Sequence, residues 1–411
     1  MFIKSILALS VASVLANPSI ASSSISVSDE DSLRAAVESA SLDSSIRSIE
    51  FERNSRIQLT APVVFTGSQA LSILGNGSVV DGALAGEFVL DDDLTATTED
   101  GSLVFNTSEA LTIRNLSVIN SATRGIVVNI PSDAVGSDVA VTLDGVRIRN
   151  SALFGLHIDD NSDEFDDGQS GSEVGVYLQV LFSSFTENGT GAIDFDGVRV
   201  DERGEGDITA FFFNTRINAN GGDGMELDEA GNGDVAASLL NVTLRNNGNF
   251  NPEDLDDGFD IDEAGEGNVL LTLNNVKLNG NLDEGLDVDE AGEGNVDVRL
   301  RKVTAVGNAD EAIKIDEEDE GDINANLRKV TVRRSGDDGI QFTELGEGKI
   351  DAKLSRVVVT GSAKFGIKLE QWFVEDESTS VESEGRARIN RVRLSGNADG
   401  DEILVNNIEI K

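Results

Sequence analysis

The chain has 411 residues and a formal charge of −43, from 75 Asp and Glu against 32 Lys and Arg, which excludes nucleic acid and anionic membrane surfaces as general partners. It has no cysteine and one histidine, so a disulfide framework, thiolate chemistry and a transition-metal centre are not expected. With 39% hydrophobic residues, only 5% aromatics and 42 glycines, the core should consist of small and branched side chains cut by many turns.

At the start of the chain, Lys4 precedes a mostly apolar run from Ile6 to Leu15, and Ala16 and Ala21 offer cleavage points. Residues 1–21 are expected to be a signal peptide, because the run is shorter than the roughly 20 residues a spanning helix needs. The mature chain, 22–411, is then expected to be secreted, extracellular or periplasmic, with no membrane insertion after cleavage. Ser28 opens a predicted helix with Asp31 as a weak capping box, and Leu33, Ala36, Val37 and Ala40 form one apolar stripe. The segments Ile49 to Phe51, Val63 to Phe65 and Leu71 to Leu74 are expected to begin a coil wall. Residues 22–70 are thus read as a cap with the first strands, and 71–411 as coils of a single domain.

The coils are visible as a repeat. GMELDEAGNGDV from Gly224, GFDIDEAGEGNV from Gly258, GLDVDEAGEGNV from Gly285, AIKIDEEDEGDI from Ala312 and GIQFTELGEGKI from Gly339 are spaced by 34 and then 27 residues, with GIKLEQ following at Gly366. Weaker copies begin at Gly125, Gly155 and Ala192, and a last one lies near Asp401. Within residues 285–311, Leu286 and Val288, then Val296, Val298 and Leu300, then Val303 and Ala305 alternate with polar residues at period two. Three short strands per unit, stacked in parallel about 4.8 Å apart, give a solenoid with an apolar interior. Four residues before each copy stand Ser121, Ser151, Asn188, Asn220, Asn281, Asn308, Ser335, Ser362 and Asn397, with Asp254 as the exception. They are read as a hydrogen-bonded ladder, or as turn residues chosen for their local conformation.

The helical N-terminal cap, the turn Gly75-Asn76-Gly77 and the repeated GIxI strands resemble the pectin-lyase-like right-handed parallel β-helices. The resemblance implies an all-β, right-handed parallel β-helix of about 10–12 coils with a short capping helix. It does not select an activity, since this fold carries lyases, hydrolases, epimerases and adhesins.

Outward positions of the first strand read as two columns. One runs Val127, His157, Asp194, Glu226, Asp260, Asp287, Lys314, Gln341, Lys368, and the other Asn129, Asp159, Asp196, Asp228, Asp262, Asp289, Asp316, Thr343, Glu370. Flanking turns are expected to add Asp256, Asp257, Asp283, Glu284, Asp310 and Glu311 on one side, and Glu263, Glu266, Glu290 and Glu293 on the other. From Asp223 to Asp322 there are 28 acidic residues against 6 basic, so the acid is concentrated on this stretch. Carboxylates one rung apart repel by roughly 1 to 3.5 kcal/mol per pair, which a hard cation would relieve. Ca²⁺ is the expected ion, held by Asp228, Asp260, Asp262, Asp287, Asp289 and Asp316. Neither an EF-hand loop nor a GGxGxD nonapeptide is present, so the site would be built across rungs. The alternative is a purely structural, solvated acidic surface.

The resemblance also implies a concrete chemistry, in which calcium held against a uronate carboxylate lets a nearby Lys or Arg remove the adjacent proton. Lys314 would be that base. Trp372, Lys368 and His157 are the expected substrate contacts, and the stretches Asp159 to Glu173 and Glu370 to Glu384, the latter with Trp372 and Phe373, are expected to overhang the face. The primary expectation is a secreted calcium-binding β-helix that binds or adheres to extracellular polysaccharide or matrix. The alternative is a calcium-dependent polysaccharide lyase acting on uronate-containing glycans.

Overall fold

The computed structural model describes residues 23–92, 94–98, 100–160, 171–251, 255–372 and 385–411; the expected signal peptide lies outside them. The helix runs Glu30–Leu42 and turns Leu33, Ala36, Val37 and Ala40 into the end of the core, as the stripe predicts. Its cap is Asp29 and not Ser28. Asp29 Oδ1 accepts from the Ser32 N–H (2.9 Å) while Ser32 Oγ accepts from the Asp29 N–H (3.1 Å), which places a carboxylate at the positive end of the helix dipole.

Beyond the cap the chain winds into a right-handed parallel β-helix, and no helix among the described residues is long and apolar enough to cross a membrane. One wall is a twelve-stranded parallel sheet from Val63–Phe65 to Gly400–Asn406. The remaining strands form a continuous sheet of twenty-four, in which a long strand such as Val296–Arg301 is followed round a corner by a short one, Thr304–Val306. Register is kept from coil to coil: Val235, Val269, Val296, Ile323 and Ile350 lie directly above one another. Leu286, Val288, Val298, Leu300, Val303 and Ala305 are all buried in one core that extends from Val27 to Ile408.

The polar column is a ladder. Asn188 Nδ2 donates to Asn220 Oδ1 (3.1 Å), Asn220 to Asn247 (3.0 Å), Asn247 to Asn281 (3.0 Å) and Asn281 to Asn308 (3.3 Å). The ladder breaks after Asn308, whose Nδ2 is buried without a hydrogen-bond partner; it resumes where the Ser335 and Ser362 hydroxyls meet (3.0 Å) and Asn397 Oδ1 accepts from the Ser362 N–H. In the coil where Asp254 was expected to interrupt the column, Asn247 takes the place; Asp254 itself lies outside the described residues. The extra residues of the 34-residue repeat therefore fall between Asn247 and Gly258.

Candidate cation-binding face

Backbone alternation in the twelve-stranded wall fixes what faces outward. In Phe259–Glu263, Phe259 and Ile261 point into the core while Asp260 and Asp262 point out. Pairing then stacks Glu226 on Asp260 and Asp228 on Asp262, and continues through Asp289, Asp316, Thr343 and Glu370. The residue just before each strand adds a third column, Asp196, Asp223, Asp257 and Glu284, tied together because each aspartate Oδ1 accepts the N–H of the residue one rung on.

The coil before Met225 departs from the expected register. The strand stacked on Met225–Glu229 is Val198–Glu202, so Arg199 and Asp201, not Asp194 and Asp196, occupy the two outward positions. Asp196 sits in the corner column, and Phe195 packs with Phe154 in a separate small cluster. GVRVDERGEGDI from Gly197 is a clean copy of the repeat 27 residues before Gly224. Following the Asn column conceals it, because additional residues separate Asn188 from this strand.

Arg199 and Arg203 neutralise this end of the face. Arg203 binds Asp228 through two nitrogens (Nη1 to Oδ1 2.8 Å, Nη2 to Oδ2 2.6 Å), while Arg199 reaches Asp201, Glu226 and Asp228. Both oxygens of Asp228, an expected ion ligand, are thus taken by guanidinium groups. Burial alone would raise the Asp201 carboxyl; Arg199, the His157 hydrogen bond and Arg203 hold it below the usual carboxylate range.

His157, expected as a surface contact for substrate, is fully buried. Its Nδ1 meets Arg124 Nη1 (3.0 Å), its Nε2 meets Asp201 Oδ2 (2.8 Å), and its ring lies on Phe154. Burial lowers its pKa to about 4 against the pull of Asp201, so the ring is neutral. Nε2–H donates to Asp201 and Nδ1 accepts from Arg124, and no glycan can reach it.

Lys314 stands at the other end, with Asp287 at 2.7 Å, Asp289 at 3.5 Å and Asp316 at 3.7 Å. Burial would lower its pKa, but these three carboxylates outweigh it and hold the ammonium above the ordinary lysine range. Two rungs further, Lys368 pairs with Glu370 (2.9 Å), and Trp372 follows on the same outward side of Phe365–Trp372. The loop segments 161–170 and 373–384, including Phe373, lie outside the described residues.

Between these two cationic ends lies a stretch of uncompensated acid. Among the described residues Asp260 and Asp262 make no hydrogen bond or ion pair, and only the more distant charges of Arg199 and Lys314 act on Asp262. Asp196 Oδ2 is buried without a hydrogen-bond partner, 4.0 Å from Arg199 Nη1. Oxygens from Asp196, Asp223 and Glu226, from Glu226, Asp260 and Asp262, and from Asp257, Glu284 and Asp287 converge to within 4.8 Å in each group. Burial, reinforced by Asp262, Asp223 and Asp257, pushes the Asp260 carboxyl well above the usual range. Burial with Asp228 and Asp289 brings Asp262 to about 6, and burial with Asp287 brings Glu284 to about 9. Carboxyl groups raised in this way retain protons at neutral pH.

A fourth acidic column was misplaced by the sequence reading. Glu263 and Glu290, expected on outer turns, share the inward side of their strands and are buried, in line with Glu202, Glu229, Glu317 and Glu344. The signal was the fixed Glu in D-E-x-G-x-G, two positions after an inward aliphatic residue. Glu229 Oε1 accepts from the Gly231 and Gly233 N–H groups (2.9 and 3.2 Å), and Glu202 and Glu344 brace their own turns in the same way. Glycine is required there by close stacking: a Cβ at Gly294 would overlap Gly267 O, and one at Gly321 would overlap Gly294 O. The column ends on Gln371, whose Oε1 accepts from the Ile350 N–H (3.1 Å).

No family model and no curated protein matches the sequence. Among solved structures, the catalytic domain of Agl-KA aligns over 97% of this chain and 69% of its own at 13% identity, TM-score 0.46. The A-module of the Azotobacter vinelandii mannuronan C-5 epimerase AlgE4 aligns over 93% and 95% at 12% identity, TM-score 0.44. Pectate lyase Pel9A aligns over 91% and 72% at 12% identity, TM-score 0.33. Likeness of this degree says nothing about chemistry.

Proposed function

We propose that this is a secreted β-helix whose acidic wall binds hard divalent cations of the calcium class, and through them the acidic groups of an extracellular polysaccharide, without turning the polysaccharide over. The observation that carries this reading is the pair Asp260 and Asp262, which lies beside Asp223, Glu226 and Asp257 and, among the described residues, makes no ion pair. An irregular set of carboxylate oxygens drawn from adjacent rungs suits calcium better than magnesium, which demands a regular octahedron and dehydrates reluctantly. Asp287, Asp289 and Asp316 would complete the neighbouring rungs, in competition with Lys314.

Binding is favoured over a lyase reaction by the surroundings of Lys314. A base must be able to accept a proton, and an ammonium ringed by three carboxylates gives its own up reluctantly. Calorimetric titration with calcium tests the proposal. Heat should be evolved or absorbed by the wild type and abolished in Asp260→Asn with Asp262→Asn. Retention on a polyuronate matrix should require calcium and leave no new unsaturated sugar ends. Equal titration curves for wild type and variant would overturn the site, and accumulation of unsaturated ends would overturn the absence of turnover.

A further inference from the structure

The face away from the acidic wall carries the opposite charge. In a chain with net charge −43, 18 of the 32 basic residues fall between Arg299 and Lys411, and many of them stack on one side of the twenty-four-stranded sheet. Arg301 pairs with Arg328, and Lys353 with Arg388. At the corner that follows, backbone hydrogen bonds from Asn275 to the Arg301 carbonyl, Lys302 to Arg328, Lys329 to Ser355 and Arg356 to Asn390 place Lys302, Lys329, Arg356 and Arg391 in a single column. All four are exposed, and none makes an ion pair or a side-chain hydrogen bond with another described residue.

Turn geometry does not account for these cations. Each has positive φ (56°, 60°, 58° and 60°), the left-handed region that Asn and Gly tolerate best. In the preceding coils the same corner is occupied by Asn214, Asn241 and Asn275, at φ 51°, 59° and 59°, and Asn275 Nδ2 donates to Asn241 Oδ1 (2.8 Å). From Lys302 onward the chain gives up both the favourable residue and that hydrogen bond, at four successive rungs, for an uncompensated positive charge.

We infer that this basic corner is a second binding site, for a linear polyuronate engaged directly and without a bridging metal. Four charges repeat at the rung spacing of about 4.8 Å along a straight line. A polyuronate carries one carboxylate per sugar ring along an extended chain, so a straight row of cations on long, flexible side chains matches it in charge and in linear form. Duplex DNA presents phosphates at about 3.4 Å per strand on a surface that curves away, and fits such a column poorly. The site is independent of the calcium face, which lies on the other wall.

The test uses the full chain in chelator, where the calcium-dependent mode is silent, with polygalacturonate as probe. Lys302→Asn, Lys329→Asn, Arg356→Asn and Arg391→Asn combined restore the residue that earlier coils use at this corner, so the fold is retained. Affinity electrophoresis should show wild-type retardation that weakens with salt, and roughly tenfold weaker binding in the variant. Asp260→Asn with Asp262→Asn should leave this retardation unchanged. Equal retardation of wild type and fourfold variant, equal retardation by a neutral glucan, tighter binding of duplex DNA, or self-association in place of polyuronate binding would each overturn the inference.

Discussion

The carboxyl group of Glu290 lies against that of Glu263 one rung before it, both buried and, among the described residues, facing only the other glutamates of the column. Two carboxylates in that position require a proton between them. Burial first, and then the contacts with Glu263 and Glu317, push Glu290 up to about 10, while burial brings Glu317 to about 8 and Glu344 to about 7. The folded chain therefore binds more protons than the unfolded chain from the ordinary glutamate value upward, and stability falls as pH rises through 7 to 10. Thermal melts in chelator should give a higher melting temperature at pH 5.5 than at pH 9. Glu290→Gln, which supplies the same donor at every pH, should flatten that dependence and raise the melting temperature at pH 9.

Protons and calcium compete on the outer wall. With Asp262 at about 6, Asp287 raised by burial and Asp289 to about 7, and Glu284 at about 9, binding an ion must displace protons at neutral pH. Calcium affinity should rise from pH 6 to pH 8, by about tenfold per unit for each proton displaced, as read by calorimetry in buffers of different ionisation enthalpy.

Lys314 is an internal competitor for the same carboxylates. Replacing it by Gln should strengthen calcium binding by about threefold to tenfold, because a like charge is removed a few ångströms from the ion. A general base at this position would give a different result, loss of turnover with no gain in affinity.

The ladder contributes to stability one rung at a time. Asn281→Ala leaves Asn247 Nδ2 without its acceptor and should cost about 1 to 3 kcal/mol in denaturant unfolding. Gly294→Ala should cost more, since its Cβ would meet backbone on the preceding rung.

Much of this architecture is legible in the sequence because a solenoid repeats its instructions. Period-two alternation placed Leu286, Val288, Val296, Val298, Leu300, Val303 and Ala305 in the core, and the 27-residue spacing set the register of Asp260, Asp287 and Lys314. Register fails where the spacing changes: insertions before Val198 and Gly258 hid Arg199, Asp201 and Asn247, since a spacing argument cannot tell on which side of a strand extra residues fall. The inward Glu column was misread for a different reason. Hydrophobicity patterns send charged residues outward by default, and it takes closure of the turn on glycine N–H groups, as at Glu229, or a proton shared along the column, as at Glu263 and Glu290, to make a buried glutamate tolerable. His157 shows the same limit, since Arg124 and Asp201, which make its burial possible, are distant in sequence.

The stretch around Asp260 and Asp262 is proposed to take up a divalent cation. The most direct measurement is the melting temperature of the mature protein at fixed ionic strength and pH 8 in chelator, in millimolar magnesium and in millimolar calcium, because a ligand bound by the native state raises its stability by mass action. A calcium-selective rise that disappears in Asp260→Asn with Asp262→Asn is the predicted result. Coincident melting curves in all three conditions would contradict it and leave the wall a solvated acidic surface.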